Sequence, residues 1–193
     1  MMIECLDTAE SRTELQKFFA SLIPDIEYNA VPDVEHDDVY APLALAIRDG
    51  GSGEIVAALL SCHTQFVATA LMTDARGLPF KDPDAVRLGG RHSLLDLMAT
   101  APEARKRGLA TKLLEHAETE LASRGVRAWY GCVDDESHAD ELRAFYERRG
   151  FRVLPDGAPL PPLLGTDRWN DEVTPPVFWF YKSIRSIGGS SAR

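Results

Sequence analysis

The run Glu103-Ala104-Arg105-Lys106-Arg107-Gly108-Leu109-Ala110-Thr111 constrains this chain more than any other segment. It follows an apolar, strand-like stretch, residues 92–100, and leads into an amphipathic pattern over 104–124 with Leu109, Leu113, Leu114, Ala117 and Leu121 on one face. That periodicity predicts a helix, stopped by Gly125. Three consecutive cations at a helix start are electrostatically out of place, because the free N–H groups and the macrodipole already make that end positive. They make sense if an anion docks there. Gly108 lets a phosphate approach the backbone without a Cβ in the way, and Ala110 keeps the next turn small. The segment reads as a pyrophosphate cradle.

Composition bounds the rest. With 193 residues the chain can bury a core of its own, and 45% hydrophobic with 26% charged residues is ordinary for a soluble protein. One domain over residues 1–187 and a disordered tail over 188–193 are expected. No apolar run approaches the roughly 20 residues needed to span a bilayer, and the first residues lack a secretory pattern. Cys5, Cys62 and Cys132 are expected to be buried, reduced thiols in a cytoplasmic protein. The net charge of −9 argues against nucleic acid as a partner and is compatible with a cationic one. No Lys or Arg lies between Phe18 and Ile47, where Asp25, Glu27, Asp33, Glu35, Asp37 and Asp38 occur. A solvated acidic loop is the simpler reading. An acidic rim attracting an amine is the sharper one. A metal site from Asp33, Glu35, His36 and Asp37 is disfavoured, since the spacing matches no standard loop. No metal is expected.

The remaining elements follow from periodicity and breakers. A strand at 2–6 precedes a helix at 8–22 with Thr8 as N-cap and Leu15, Phe18, Phe19 and Leu22 on one face. Residues 25–42 read as loop. Strands at 43–48 and 54–62 flank Asp49-Gly50-Gly51-Ser52-Gly53, a hairpin signal. Residues 63–91 form a long connection in which Phe66, Val67, Ala70 and Leu71 have helical spacing, interrupted by Gly77-Leu78-Pro79 and Gly89-Gly90. Further on come a strand at 126–133, a helix at 137–149 capped by Ser137, a strand at 151–154, an irregular stretch at 155–176, and a last strand at 177–183. The fold class is α/β: a mixed central sheet of about six to seven strands flanked by helices.

The pattern Arg105-x-x-Gly108-x-Ala110 resembles the cofactor signature of the GNAT superfamily of N-acetyltransferases. A second segment, Leu142-Arg143-Ala144-Phe145-Tyr146-Glu147-Arg148-Arg149-Gly150-Phe151, resembles that family's second block, in the same order and separation. The resemblance covers roughly residues 94–154. It implies that Met98, Thr100 and Arg105, Lys106, Arg107, Gly108, Leu109, Ala110 and Thr111 hold acetyl-CoA as co-substrate, with backbone N–H groups near Met98 or Thr100 serving the oxyanion. It implies that Tyr146 protonates, or hydrogen-bonds, the departing thiolate. A core tyrosine is the competing reading. The asparagine often found seven residues before that tyrosine is Ala139 here, so one cofactor contact is absent or replaced.

Acetyl transfer also requires an amine free of its proton, and an alkylammonium is almost wholly protonated at neutral pH. Asp96 interrupts the apolar strand Leu94-Leu95-Asp96-Leu97-Met98 and is the candidate base or amine anchor. It would share a face with His92, Leu94, Met98 and Thr100. A buried carboxylate must be paired or serve a purpose, and a salt bridge to Arg127 or Arg143 is the alternative. His92 is a weaker relay candidate. Trp129, Tyr130 and Trp169 could line an acceptor pocket, Trp169 first because it lies in an irregular loop. The function expected is acetyl transfer to a primary amine of a small molecule or peptide by direct attack in a ternary complex. The alternative is a non-catalytic acyl-CoA-binding or sensor module. The partners expected are a small amine or peptide acceptor, neither nucleic acid nor membrane, with homodimerisation left open.

Overall fold

The computed structural model describes residues 2–77, 83–166 and 176–185, and statements of absence below refer to these. Seven strands form one mixed sheet in the order β1-β2-β3-β4-β5-β7-β6. They are β1 (Ile3–Cys5), β2 (Leu43–Arg48), β3 (Ile55–Cys62), β4 (His92–Thr100), β5 (Ala128–Val133), β6 (Arg152–Val153) and β7 (Phe178–Ser183). The pairs β1–β2, β2–β3, β5–β7 and β6–β7 are antiparallel. The chain divides into two compact units, residues 1–62 with 95–119 and residues 63–94 with 120–193.

The first unit contains the β2–β3 hairpin. Its turn is held by Asp49, whose carboxylate accepts from the N–H groups of Gly51 and Ser52 at 2.9 and 3.1 Å. Those bonds hold the Asp49 carboxyl below its ordinary range, helped by the charge of Arg107. Helix α1 (Ala9–Ala20) starts at Thr8, which forms a reciprocal capping box with Ser11. The helix buries Leu15 and Phe19 completely against Leu6, Ala44, Ala46, Ala58 and Leu60. Each such side chain contributes roughly 1.5–3 kcal/mol. Arg48 at the end of β2 pairs with both Glu4 and Glu14 and so ties β1, α1 and β2 together.

The acidic segment is less irregular than its composition suggests. A 3-10 turn at Val34–His36 runs into a short helix, α2 (Asp37–Tyr40), which ends at Ala41 in the left-handed region, φ 45°. Arg12 and Gln16, one turn apart on α1, hold this segment. Arg12 is buried and donates to the carbonyls of Leu6 and Pro32 and to Asp37. The Gln16 amide donates to the Glu27 carbonyl at 2.8 Å and accepts from the Val31 N–H at 2.9 Å.

In the second unit, the described parts of residues 63–91 are largely helical rather than an open connection. Helix α3 (Gln65–Ala75) is capped by Thr64, and α4 (Pro83–Leu88) leads through a 3-10 turn into β4. Val67, Ala70 and Leu88 pack into a core with Tyr130, Leu154, Leu160, Leu163 and Trp179. Trp129 and Tyr130 are fully buried, so both are core. Trp169 and the tail 188–193 lie outside the described residues. Helix α6 (Ala139–Glu147) is not capped by Ser137. A 3-10 turn, Glu136–His138, precedes it, and the Asp135 carboxylate caps that turn by accepting from the Ser137 N–H at 2.8 Å. Gly150 at φ 79° ends the helix, and the Phe151 N–H reaches back to the Tyr146 carbonyl at 3.1 Å.

Helix α5 (Leu109–Ser123) starts five residues later than the apolar periodicity implies. Pro102–Ala104 forms a separate 3-10 turn, Arg105 is extended, and Lys106 and Gly108 have φ of 60° and 74°. Left-handed backbone cannot continue a right-handed helix. The three cations therefore occupy the loop before α5, not its first turn. All three cysteines are free, but only Cys62 is buried: Cys5, on the edge strand β1, is exposed and Cys132 is half-buried, against expectation.

Candidate functional site

Within the first unit, β4 delivers Asp96, Met98 and Thr100 and then turns into the basic loop. Arg105 Nε donates to the Thr100 carbonyl at 3.3 Å, tying the strand end to the loop. Arg105, Lys106, Arg107 and Gly108 are exposed, Leu109 is buried, and Ala110 and Thr111 are half-buried. Leu109 thus anchors the helix while the preceding loop faces solvent. The first helical bond runs from the Lys112 N–H to the Gly108 carbonyl at 3.1 Å. Leu109 and Ala110 precede that bond, in the first turn of the helix, where backbone N–H groups have no intrahelical acceptor. A Cβ placed on Gly108 would meet nothing within 4 Å. The space over Gly108 is open, and a phosphate oxygen can enter it. Three cations, the N-terminus of a fifteen-residue helix and an open glycine fit a pyrophosphate.

Asp96 is exposed, which corrects the expectation of a buried acid. Strand alternation gave its face but not its depth. Leu95 on the opposite face is buried, and Leu97 and Ala99 pack against the α1 core. Its carboxylate Oδ2 lies 3.9 Å from the thiol of Cys62. Arg143, one of the two salt-bridge partners considered, is engaged elsewhere. It pairs with Asp156, donates to the Leu154 carbonyl at 2.7 Å and stacks 4.1 Å over the Phe178 ring.

Within the second unit, Tyr146 is 5% exposed. Its ring stacks on Phe180 with centroids 3.7 Å apart and meets Phe145 and Phe151 edge-on. Burial raises its phenol pKa above the ordinary value, with the Cys132 thiol adding to the effect. The hydroxyl is thus neutral, a donor at any physiological pH, and less acidic than a free phenol. His92 is 1% exposed and stacks between His63 and Tyr130. Burial, with His63 adding to it, lowers its pKa to about 3, so it is a poor proton acceptor. Asp33, Glu35 and His36 bring ligand atoms within 4.8 Å of one another on the surface of the first unit. The sequence reasoning missed the Cys62 contact. The only signal for it was the place of Cys62 as the last residue of a buried strand.

Residues 66–153 match the family model described as the acetyltransferase (GNAT) domain, a span that contains both motifs. The fold is also that of solved GNAT proteins. Aminoglycoside 6'-N-acetyltransferase complexed with coenzyme A is 20% identical, with 98% of this chain and 100% of that one covered at a TM-score of 0.59. Tetrahymena GCN5 is 10% identical, with 96% and 97% covered at 0.61. The ribosomal-protein-S18-alanine N-acetyltransferase of Escherichia coli is 16% identical, with 100% and 98% covered at 0.58. No curated protein sequence matches the chain. The chain therefore carries a GNAT acetyltransferase domain match on a GNAT fold. No described helix is long and apolar enough to cross a membrane.

Proposed function

We propose that the protein transfers the acetyl group of acetyl-CoA to a primary amine of a small molecule or peptide in a ternary complex. The observation that carries this reading is the exposed, cationic loop entering α5 at Gly108. It offers the N–H groups and the charge that a pyrophosphate requires. The solved relative bound to coenzyme A supports the same ligand.

In this reaction the neutral amine nitrogen attacks the thioester carbonyl carbon, the C–N bond forms, the C–S bond breaks, the nitrogen gives up a further proton to become the amide, and the thiolate takes one. The ammonium must first lose one. Asp96, an exposed carboxylate on β4, is the group proposed to receive it, directly or through water. Met98 and Thr100, beyond it on the strand, are proposed to offer backbone N–H to the carbonyl oxygen. Tyr146 is proposed to donate to the leaving sulfur. Its raised proton affinity makes a full proton transfer to a thiolate uphill, so a hydrogen bond is the larger part of its contribution.

Incubating the protein with acetyl-CoA and a broad panel of primary amines, while following release of free thiol, tests the proposal. Amine-dependent release supports it. Tight coenzyme A binding with no release from any amine supports the non-catalytic module instead.

A further inference from the structure

Cys62 is the last residue of β3 and is 4% exposed. Its sulfur lies 3.9 Å from Asp96 Oδ2. Burial and two charged groups bear on this thiol. Burial and the Asp96 charge both favour the neutral S–H, while the buried guanidinium of Arg12 on α1 works against them. The neutral form prevails, so the proton sits on sulfur and the thiol is the donor. A carboxylate on an exposed strand position has several rotamers open to it. Here one oxygen is held at a fixed place on the adjacent strand.

From this contact we infer that Cys62 is a positioning residue: its thiol proton holds Asp96 Oδ2 and sets the orientation and basicity of that carboxylate. The inference rests on the reading of Asp96 as the group that takes the ammonium proton. No bond is made or broken at sulfur, so this role requires neither a thiolate nor an oxidant. A stronger donor would stabilise the charged carboxylate further and make it a weaker base.

The test is to titrate Asp96 by NMR, with aspartate labelled at the carboxyl carbon and the signal assigned by its loss in Asp96→Asn. Wild type, Cys62→Ala and Cys62→Ser are compared in the full chain, each with its pH profile of kcat/KM. Removing the donor should move the Asp96 midpoint to higher pH in Cys62→Ala. Cys62→Ser, which restores a donor, should return it to or below the wild-type position. The acid limb of kcat/KM should move with it, while KM for acetyl-CoA stays unchanged. An Asp96 midpoint identical in all three proteins overturns the inference. A midpoint that moves as stated, with an unmoved kcat/KM profile, upholds the contact and overturns Asp96 as base.

Discussion

The imidazoles of His63 and His92 stack with ring centroids 5.2 Å apart and planes 19° from parallel. His92 is buried there as the neutral form. Its pKa is lowered from 6.5 to about 3, first by desolvation and then by His63. Between these two values the unfolded chain binds a proton that the folded chain refuses. The stability contributed by neutral His92 is therefore complete above the unfolded value and is lost as pH falls through the window. Urea unfolding between pH 7 and pH 4 should show progressive destabilisation, with His92 supplying on the order of a few kcal/mol. His92→Phe keeps a ring in the stack and should flatten that dependence. An equally steep loss in the variant removes His92 as its source.

Arg12 is the second buried group with a large stake in the fold. It satisfies the Leu6 and Pro32 carbonyls and pairs with Asp37. Arg12→Leu should cost about 3–5 kcal/mol, since the partners lose a charged donor inside the first unit. Thermal denaturation measures this. Limited proteolysis should show new cleavage within residues 25–40, the segment that Arg12 and Gln16 hold to α1. A variant with an unchanged Tm and no new cleavage contradicts the clamp.

Tyr146→Phe separates chemistry from packing. The stack on Phe180 at 3.7 Å survives the change, so the Tm should barely move. If the hydroxyl serves the sulfur, kcat should fall, by about 10²-fold or less. That is the bottom of the range for general acid catalysis, because coenzyme A thiolates leave readily. Full activity in the variant makes Tyr146 a core residue and water the proton source.

Strands were the most legible part of the sequence. The run 92–100 became β4 with the same bounds, and the Asp49–Gly53 breaker became the hairpin turn. Helices inside 63–91 were harder to see, because the glycines and prolines that punctuate it also look like a structureless loop. The start of α5 was misplaced for a different reason. Lys106 takes left-handed backbone with no residue-type signal, whereas Gly108 could be anticipated. The depth of Asp96 was illegible because alternation assigns a face and says nothing of what covers it. The residues proposed for the cradle stood out because cations beside a helix start are a local contradiction, visible without a fold, although they lie in the loop before α5 and not in its first turn.

Calorimetric titration of coenzyme A into the wild-type protein and into Gly108→Val tests the central claim most directly. The glycine sits at φ 74° with open space above it, so valine adds local strain and fills the volume proposed for a phosphate oxygen. The account predicts binding by the wild type and no detectable binding by a variant whose circular dichroism and cooperative melting show it folded. A folded variant that binds coenzyme A with wild-type affinity would contradict the account.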